Sequence, residues 1–229
     1  LLNAAKYEEA IPYFREAGNL DGVRKTTRAL MFRNQAQCYL ALQMNDSAVK
    51  YSIAAAQLFE PESYEYLINM ADVDLLSGHV REATEKLEKA FAINPDDVAA
   101  CNSLGLIYLG EYDYESYSPE KALPFNQKAF QINRDRTTEE VLSRNYFALE
   151  KYEDCEKHLM NIYSTYRGMT DVTFSLGVVK WKQNQFAMAE KFFEEAIAAD
   201  SSYRLAVEEF KFMQTLEQEG MEDPAILPE

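Results

Sequence analysis

Glycine and proline are scarce in this chain, eight and seven in 229 residues. So few breakers leave little room for the closely spaced turns of a strand-rich protein, and they favour helices joined by short connections. Long hydrophobic runs are missing as well. A helix needs about 20 consecutive apolar residues to cross a bilayer; no run in the sequence approaches that, and direct membrane insertion is not expected. The three cysteines, Cys38, Cys101 and Cys155, are widely spaced and odd in number. That argues against a disulfide framework, and the lack of any CxxC or Cys/His cluster argues against a metal centre. Free thiols favour a reducing compartment, so a cytoplasmic location is expected. The chain opens at Leu1 instead of methionine, which keeps a periplasmic or membrane-anchored location open if a leader precedes it.

Signatures of catalysis are equally thin. The only histidines are His79 and His158, each in or beside a polar helical stretch and expected on a solvated face. No Ser–His–Asp order, HExxH, glycine-rich phosphate loop or nucleophile elbow occurs. The carboxylate pairs Glu8/Glu9, Glu139/Glu140 and Glu194/Glu195 are adjacent in sequence, so they splay around a helix instead of converging, and solvated faces are expected for them. No catalytic residue, cofactor or metal follows from any of this. Basic residues are outnumbered, 23 against 38 acidic, for a net charge of −15. Phosphate-rich partners want the opposite sign, which disfavours nucleic acid and acidic membrane surfaces. A neutral or basic protein or peptide fits the charge.

What is present is a repeat. Lys6-Tyr7-Glu8-Glu9-Ala10, Gly78-His79-Val80-Arg81-Glu82-Ala83, Lys151-Tyr152-Glu153-Asp154-Cys155 and Asn184-Gln185-Phe186-Ala187-Met188-Ala189 each set an aromatic or aliphatic residue three before a small one. Another small or apolar residue follows seven later, at Ala17, Ala90, Ile162 and Ala196, and the pairs Ala48/Ala55 and Ala122/Ala129 complete the series. The landmark therefore recurs at 10, 48, 83, 122, 155 and 189, in steps of 38, 35, 39, 33 and 34. Upstream stand Ala36, Ala71, Gly105, Ser143 and Gly177, which precede their landmarks by 12, 12, 17, 12 and 12 residues. Small residues on one helix face let a second helix approach closely, and a ring one turn on, as at Tyr39, Tyr108 and Tyr146, fills the space beside them. The unit is thus a pair of antiparallel helices, A then B.

This pattern resembles the tetratricopeptide repeat family, a helix–turn–helix unit with a period of 34 residues. The resemblance is best at Leu104-Gly105…Tyr108, at Ala83…Leu87…Ala90…Pro95 and at Leu176-Gly177…Ala189…Phe193…Ala196. It extends from Leu1 to about Ser202. Departures are Gln35 for an apolar residue, Asp74 and Lys180 for the aromatic, Asn126 for a large apolar residue, and an inter-repeat proline kept only at Pro95. The resemblance implies an all-α, right-handed superhelical solenoid of antiparallel helix pairs, a single unit over 1–217. Its parts are a partial repeat at 1–24, repeats at 29–63, 64–97, 98–135, 136–169 and 170–202, and a C-terminal capping helix at 203–217. That helix carries Tyr203, Ala206, Val207, Phe210, Met213 and Leu216 on one stripe, with Glu208, Glu209, Lys211 and Gln214 off it; an acidic tail follows at 218–229. Two steps mark insertions. The first is expected as a longer loop around Asn19-Leu20-Asp21-Gly22. The second lies between helices A and B of the 98–135 repeat, where Glu111–Tyr117 precedes Ser118-Pro119, an expected N-cap and first-turn proline.

In such repeats the concave wall is lined by helix A. Carried over here, that wall comprises Arg33, Asn34, Gln37, Asn69, Asp72, Asn102, Ser103, Leu106, Arg144, Phe147, Phe174, Ser175, Val178 and Trp181, with Phe174 and Trp181 as aromatic anchors. Asn and Gln facing a groove are suited to bonding an extended peptide. The family's clamp for a C-terminal carboxylate is not matched, since Asn34 and Asn69 are present but Glu65, Ile68, Ala99 and Ser103 stand elsewhere in it. Tyr112, Tyr114 and Tyr117 in the insertion form an expected second contact surface, because tyrosine offers large contact area at low entropic cost. The function expected is a non-catalytic protein–protein interaction scaffold. Alternatives are a regulatory or targeting part of a larger enzyme, or a self-assembling scaffold in which a homo-oligomer forms.

Overall fold

The computed structural model describes residues 4–219, and it is helical throughout them, with no strand. The helices are α1 (Ala4–Asn19), α2 (Lys25–Ala41), α3 (Asn45–Ala56), α4 (Tyr64–Leu76), α5 (Val80–Ile93), α6 (Val98–Tyr108) and α7 (Pro119–Ile132), then α8 (Arg136–Ala148), α9 (Tyr152–Thr165), α10 (Thr170–Lys182), α11 (Phe186–Ala199) and α12 (Tyr203–Glu219). Any part of a first helix A ahead of Ala4 lies outside the described residues, as does the acidic tail beyond Glu219. Two compact units divide at Asn133/Arg134, in the short connection between α7 and α8, where one unit over 1–217 was expected.

In the first unit α2 packs on α3, α4 on α5 and α6 on α7, while α1, α3 and α5 each pack on the helix that follows. In the second, α8 packs on α9 and α10 on both α9 and α11, and α12 lies against α10 and α11. Most A-to-B turns span three residues, at 42–44, 77–79, 149–151 and 183–185, which makes each pair antiparallel. Their middle residues are left-handed: Gln43 (φ 60°), Gly78 (φ 78°), Glu150 (φ 57°) and Asn184 (φ 61°). The next N–H in each turn reaches back six residues inclusive: Met44 donates to Tyr39, His79 to Asp74, Lys151 to Tyr146 and Gln185 to Lys180, at 2.8–2.9 Å. This closure satisfies carbonyls that the helix end leaves open. Three A helices start on side-chain caps: Ser63 accepts from the Tyr66 N–H, Asp97 from Ala99 and Asp135 from Thr138.

The cores follow the small-residue register. In the first unit Leu67, Ala71, Ala83, Leu87, Ala90, Ala100 and Leu104 are buried together; in the second, Cys155, Leu159, Ile162, Val172, Leu176 and Val179 form one cluster. At Gly177 an added β-carbon would stand 2.5 Å from the ring of Phe193, and at Gly105 it would collide with the Asn126 amide. All three cysteines are free and buried. Burial pushes the Cys101 thiol up to about 11 and the Cys155 thiol up to about 12, so neither is a thiolate near neutral pH.

Several local expectations are corrected. The extra residues of the first long step do not lengthen a loop. They add a turn to the front of α2, which has 17 residues against 11 or 13 in the later A helices, so the repeat begins at Lys25 instead of 29. Arg28 in that added turn donates from Nε to the Gly18 carbonyl (2.9 Å), capping the end of α1. Ser118 precedes α7 without a side-chain cap bond; Pro119 does occupy the first turn. Glu139 is buried at 6% exposure instead of solvated. It accepts from Asn161 Nδ2 (2.8 and 3.0 Å) and lies 3.0 Å from His158 Nδ1, whose ring stacks on Tyr146. Lys180 is buried between Glu156 (2.6 Å) and Gln185 (3.0 Å). Gln214 joins the inward stripe of α12, beside Val207 and Phe210.

Candidate functional site

The exposed face of the A helices in the first unit carries two hollows that share Arg33. The larger, about 350 Å³, is lined by Arg33, Ala36, Gln37 and Leu40 of α2, Asp72, Leu75 and Leu76 of α4, and Ala99, Asn102 and Ser103 of α6, with Ser52 and Tyr112. Thus five of the expected groove residues, Arg33, Gln37, Asp72, Asn102 and Ser103, stand around one concavity. They converge because the repeat period returns the same face of each A helix to the same side. Arg33 Nη2 lies 3.3 Å from Asp72 Oδ2, tying α2 to α4. Desolvation raises the Asp72 carboxyl above its ordinary range, while the charge and hydrogen bond of Arg33 pull it back. The Asn102 Oδ1 atom is buried and has no hydrogen-bond partner.

The smaller hollow, about 200 Å³, is lined by Thr26, Ala29, Leu30 and Arg33 of α2, by Phe59, by Tyr64, Glu65, Ile68 and Asn69 of α4, and by Asp97. Asn69 is buried at 4% exposure. Its Nδ2 donates to the Glu65 backbone carbonyl, and its Oδ1 is unpartnered. Asn34 and Leu106 are half-buried and line neither hollow.

The insertion proves to be part of this site. It follows the shortest A helix, α6, and occupies 109–118. It opens as the other turns do, with Gly110 left-handed (φ 77°) and the Glu111 N–H donating to the Leu106 carbonyl. The Ser116 N–H then donates to Asp113 Oδ1 (2.7 Å) and the Ser118 N–H to the Tyr108 carbonyl (2.8 Å), closing the loop. Tyr112 is thereby placed against the larger hollow, not on a separate surface. Burial and the Asp72 charge both raise its hydroxyl pKa. Tyr114 and Tyr117 stack on one another with ring centroids 5.7 Å apart, and Tyr114 is 84% exposed. In sequence, the signal for the placement of Tyr112 is the length of the insertion, which leaves room for its rings to fold back over the neighbouring helix pair.

In the second unit the expected wall is broken up. Arg144 is exposed, and Phe147 packs edge-on against Tyr152 at 5.6 Å. Ser175 turns back to its own helix, donating to the Asp171 carbonyl. Phe174, Val178 and Trp181 belong to the cluster around Phe193 and Val207. Trp181 meets Phe186 (4.9 Å), Phe210 (6.0 Å) and Phe193 (6.4 Å), and Lys211 Nζ lies 5.8 Å from its ring. Phe174 meets Phe193 and Tyr203. The two aromatic residues expected as anchors are therefore partly buried against α11 and α12. Among the described residues no three metal-binding side chains come together, and no helix is long and apolar enough to cross a membrane.

Residues 171–203, covering α10, α11 and the connection into α12, match the tetratricopeptide repeat. The helix pairs of both units recur in solved structures of such proteins. The fold is that of tetratricopeptide-repeat proteins. YrrB, described as a tetratricopeptide-repeat protein with an unusual peptide-binding site, is 18% identical; the match covers 91% of this chain and 100% of that one, with a TM-score of 0.62. MamA from Desulfovibrio magneticus RS-1 is 18% identical over 76% of this chain and 96% of its own, TM-score 0.59. A chain of the APC/C hetero-tetramer Cut9–Hcn1 gives a TM-score of 0.72 at 18% identity over 90% of this chain and 39% of its own. No curated protein matches the sequence. At these identities the likeness concerns the tetratricopeptide-repeat fold alone.

Proposed function

We propose that this chain is a non-catalytic interaction scaffold that takes an extended segment of a partner protein on the A-helix face of its first unit. The observation that carries this reading is the larger hollow, where three A helices and the insertion surround a buried, unpartnered amide oxygen on Asn102. A buried polar atom without a partner is uncommon in folded proteins and invites a donor. An extended peptide supplies N–H groups at regular spacing, while Leu40, Leu75 and Tyr112 offer apolar contact for its side chains. The peptide-binding site for which YrrB is described agrees with this use of the fold. The test is binding of randomised octapeptide pools to the wild type and to Asn102→Leu. The reading expects pools retained by the wild type to be lost with the variant at unchanged helicity; equal retention by both overturns it.

A second reading, self-assembly, is favoured by one observation, the stacked pair Tyr114 and Tyr117 displayed on the insertion. Exposed rings of this kind are enriched where proteins meet.

A further inference from the structure

The smaller hollow beside Asn69 has a composition unlike the larger one. Ala29, Leu30, Phe59 and Ile68 give it an apolar side, and the acidic residues Glu65 and Asp97 also line it. The one cation on its border, Arg33, is engaged by Asp72 in the neighbouring hollow. Asn69 supplies the decisive atom. Because its Nδ2 donates to the Glu65 backbone carbonyl, exchanging the two ends of the amide would set oxygen against oxygen; the atom left without a partner is therefore the acceptor. A ligand here must bring a donor, and a carboxylate ligand brings none.

We infer that this hollow is a subsite for a basic side chain, lysine or arginine, carried by the segment that the A-helix face binds. The inference rests on the peptide-binding reading of that face. An aliphatic stem fits against Leu30, Phe59 and Ile68, as such stems do when long charged side chains cover apolar surface. The head then reaches Asn69 Oδ1 with Glu65 and Asp97 nearby, so the donor requirement and the charge preference are met by one group. A volume of about 200 Å³ admits one long side chain and excludes a second chain segment. The net charge of −15 favours approach of a basic segment.

The experiment uses the full chain and octapeptide pools fixed at the fourth position as lysine, arginine, norleucine or glutamate, with lysine and arginine excluded elsewhere. The lysine and arginine pools are expected to bind about tenfold or more tightly than the norleucine pool, a ratio well within what a single charged contact supplies, with the glutamate pool weakest. Asn69→Leu brings the basic pools down to the norleucine level. Glu65→Gln, which leaves the backbone carbonyl that holds Asn69 in place, is measured beside it in case the first variant does not fold, and it weakens the basic pools alone. Equal binding of all four pools, or a basic preference that survives Glu65→Gln and any folded Asn69→Leu, overturns the subsite and leaves the peptide-binding face standing. Binding of no pool overturns both.

Discussion

Gly105 of α6 faces Asn126 of α7 with no space for a side chain between them; a β-carbon added to the glycine would run into the asparagine amide. The same relation recurs in the second unit, where Gly177 of α10 meets the ring of Phe193 of α11 at 2.5 Å from that added atom. In both pairs the residue opposite the glycine lies four after the small landmark of helix B, Ala122 or Ala189, so the contact belongs to the repeat. Forcing a branched side chain into such a contact typically costs about 1–3 kcal/mol. Gly105→Val should lower the melting temperature by several degrees, whereas Glu115→Val in the exposed insertion should leave it nearly unchanged. Equal shifts in a thermal melt would mean that the glycine is not at a helix contact.

That contact was legible in sequence because spacing and size alone define it. The buried charges were not. Glu139 looks like one half of a solvated pair, and only the fold brings His158 and Asn161 to it from α9. Lys180 occupies a position where other repeats place an aromatic, and its burial depends on Glu156 from the preceding helix pair. Pattern reading treats each charged residue by itself, while burial of a charge is decided by a partner far away in the chain. The left-handed turns at Gln43, Glu150 and Asn184 were hidden for a related reason: without glycine, only the returning backbone bond marks them. Within the site, Arg33, Asp72 and Asn102 follow from the repeat register. Tyr112 does not, since an insertion has no register to follow. The packing of Trp181 against Phe210 and Lys211 was not legible in the repeat pattern, because α12 lies outside the repeat.

The cluster of Glu139, His158 and Asn161 should contribute to the stability of the second unit. Glu139 accepts from Asn161 Nδ2 and lies 3.0 Å from His158 Nδ1. Replacing it with leucine removes the charged acceptor that ties Asn161 and the half-buried His158 of α9 to α8, a loss of about 1–3 kcal/mol. Glu139→Gln retains one acceptor oxygen and should lose less. Urea unfolding of the three proteins should give that order; a leucine variant as stable as the wild type would show the cluster to be energetically neutral.

Glu156 should make stability depend on pH. Desolvation raises its carboxyl pKa, but hydrogen bonds from Lys180 and Gln183 and the charge of Lys180 outweigh it and hold the group below its ordinary 4.5. A folded-state pKa below the unfolded one means that stabilisation is present above the unfolded value and is lost as pH falls through the folded one. The difference in unfolding free energy between the wild type and Lys180→Met should therefore be largest above about pH 5 and shrink below pH 4.5. Other carboxylates titrate in the same range, but they are common to both proteins and cancel in the difference. Parallel pH profiles would remove this pair from the acid response.

Tyr114 should matter for association and not for folding. Its ring is 84% exposed and touches the loop chiefly through the stack on Tyr117. Tyr117 is the less exposed of the two at 42%, and it packs beside Gly110, where an added β-carbon would meet its ring at 3.2 Å; it therefore holds the loop, while Tyr114 is displayed. Tyr112 lines the larger hollow and belongs to the peptide-binding face. The three tyrosines thus separate by role, and single substitutions resolve them. Tyr114→Ser should leave the melting temperature within about a degree of wild type, as surface changes away from packed features usually do. Should the chain self-assemble through the insertion, sedimentation at rising concentration will show a mass above the monomer for the wild type and the monomer alone for Tyr114→Ser, with peptide binding unaltered. Tyr112→Ser should do the reverse, weakening peptide binding and sparing association. Identical sedimentation of the wild type and Tyr114→Ser would eliminate the insertion as a contact between copies.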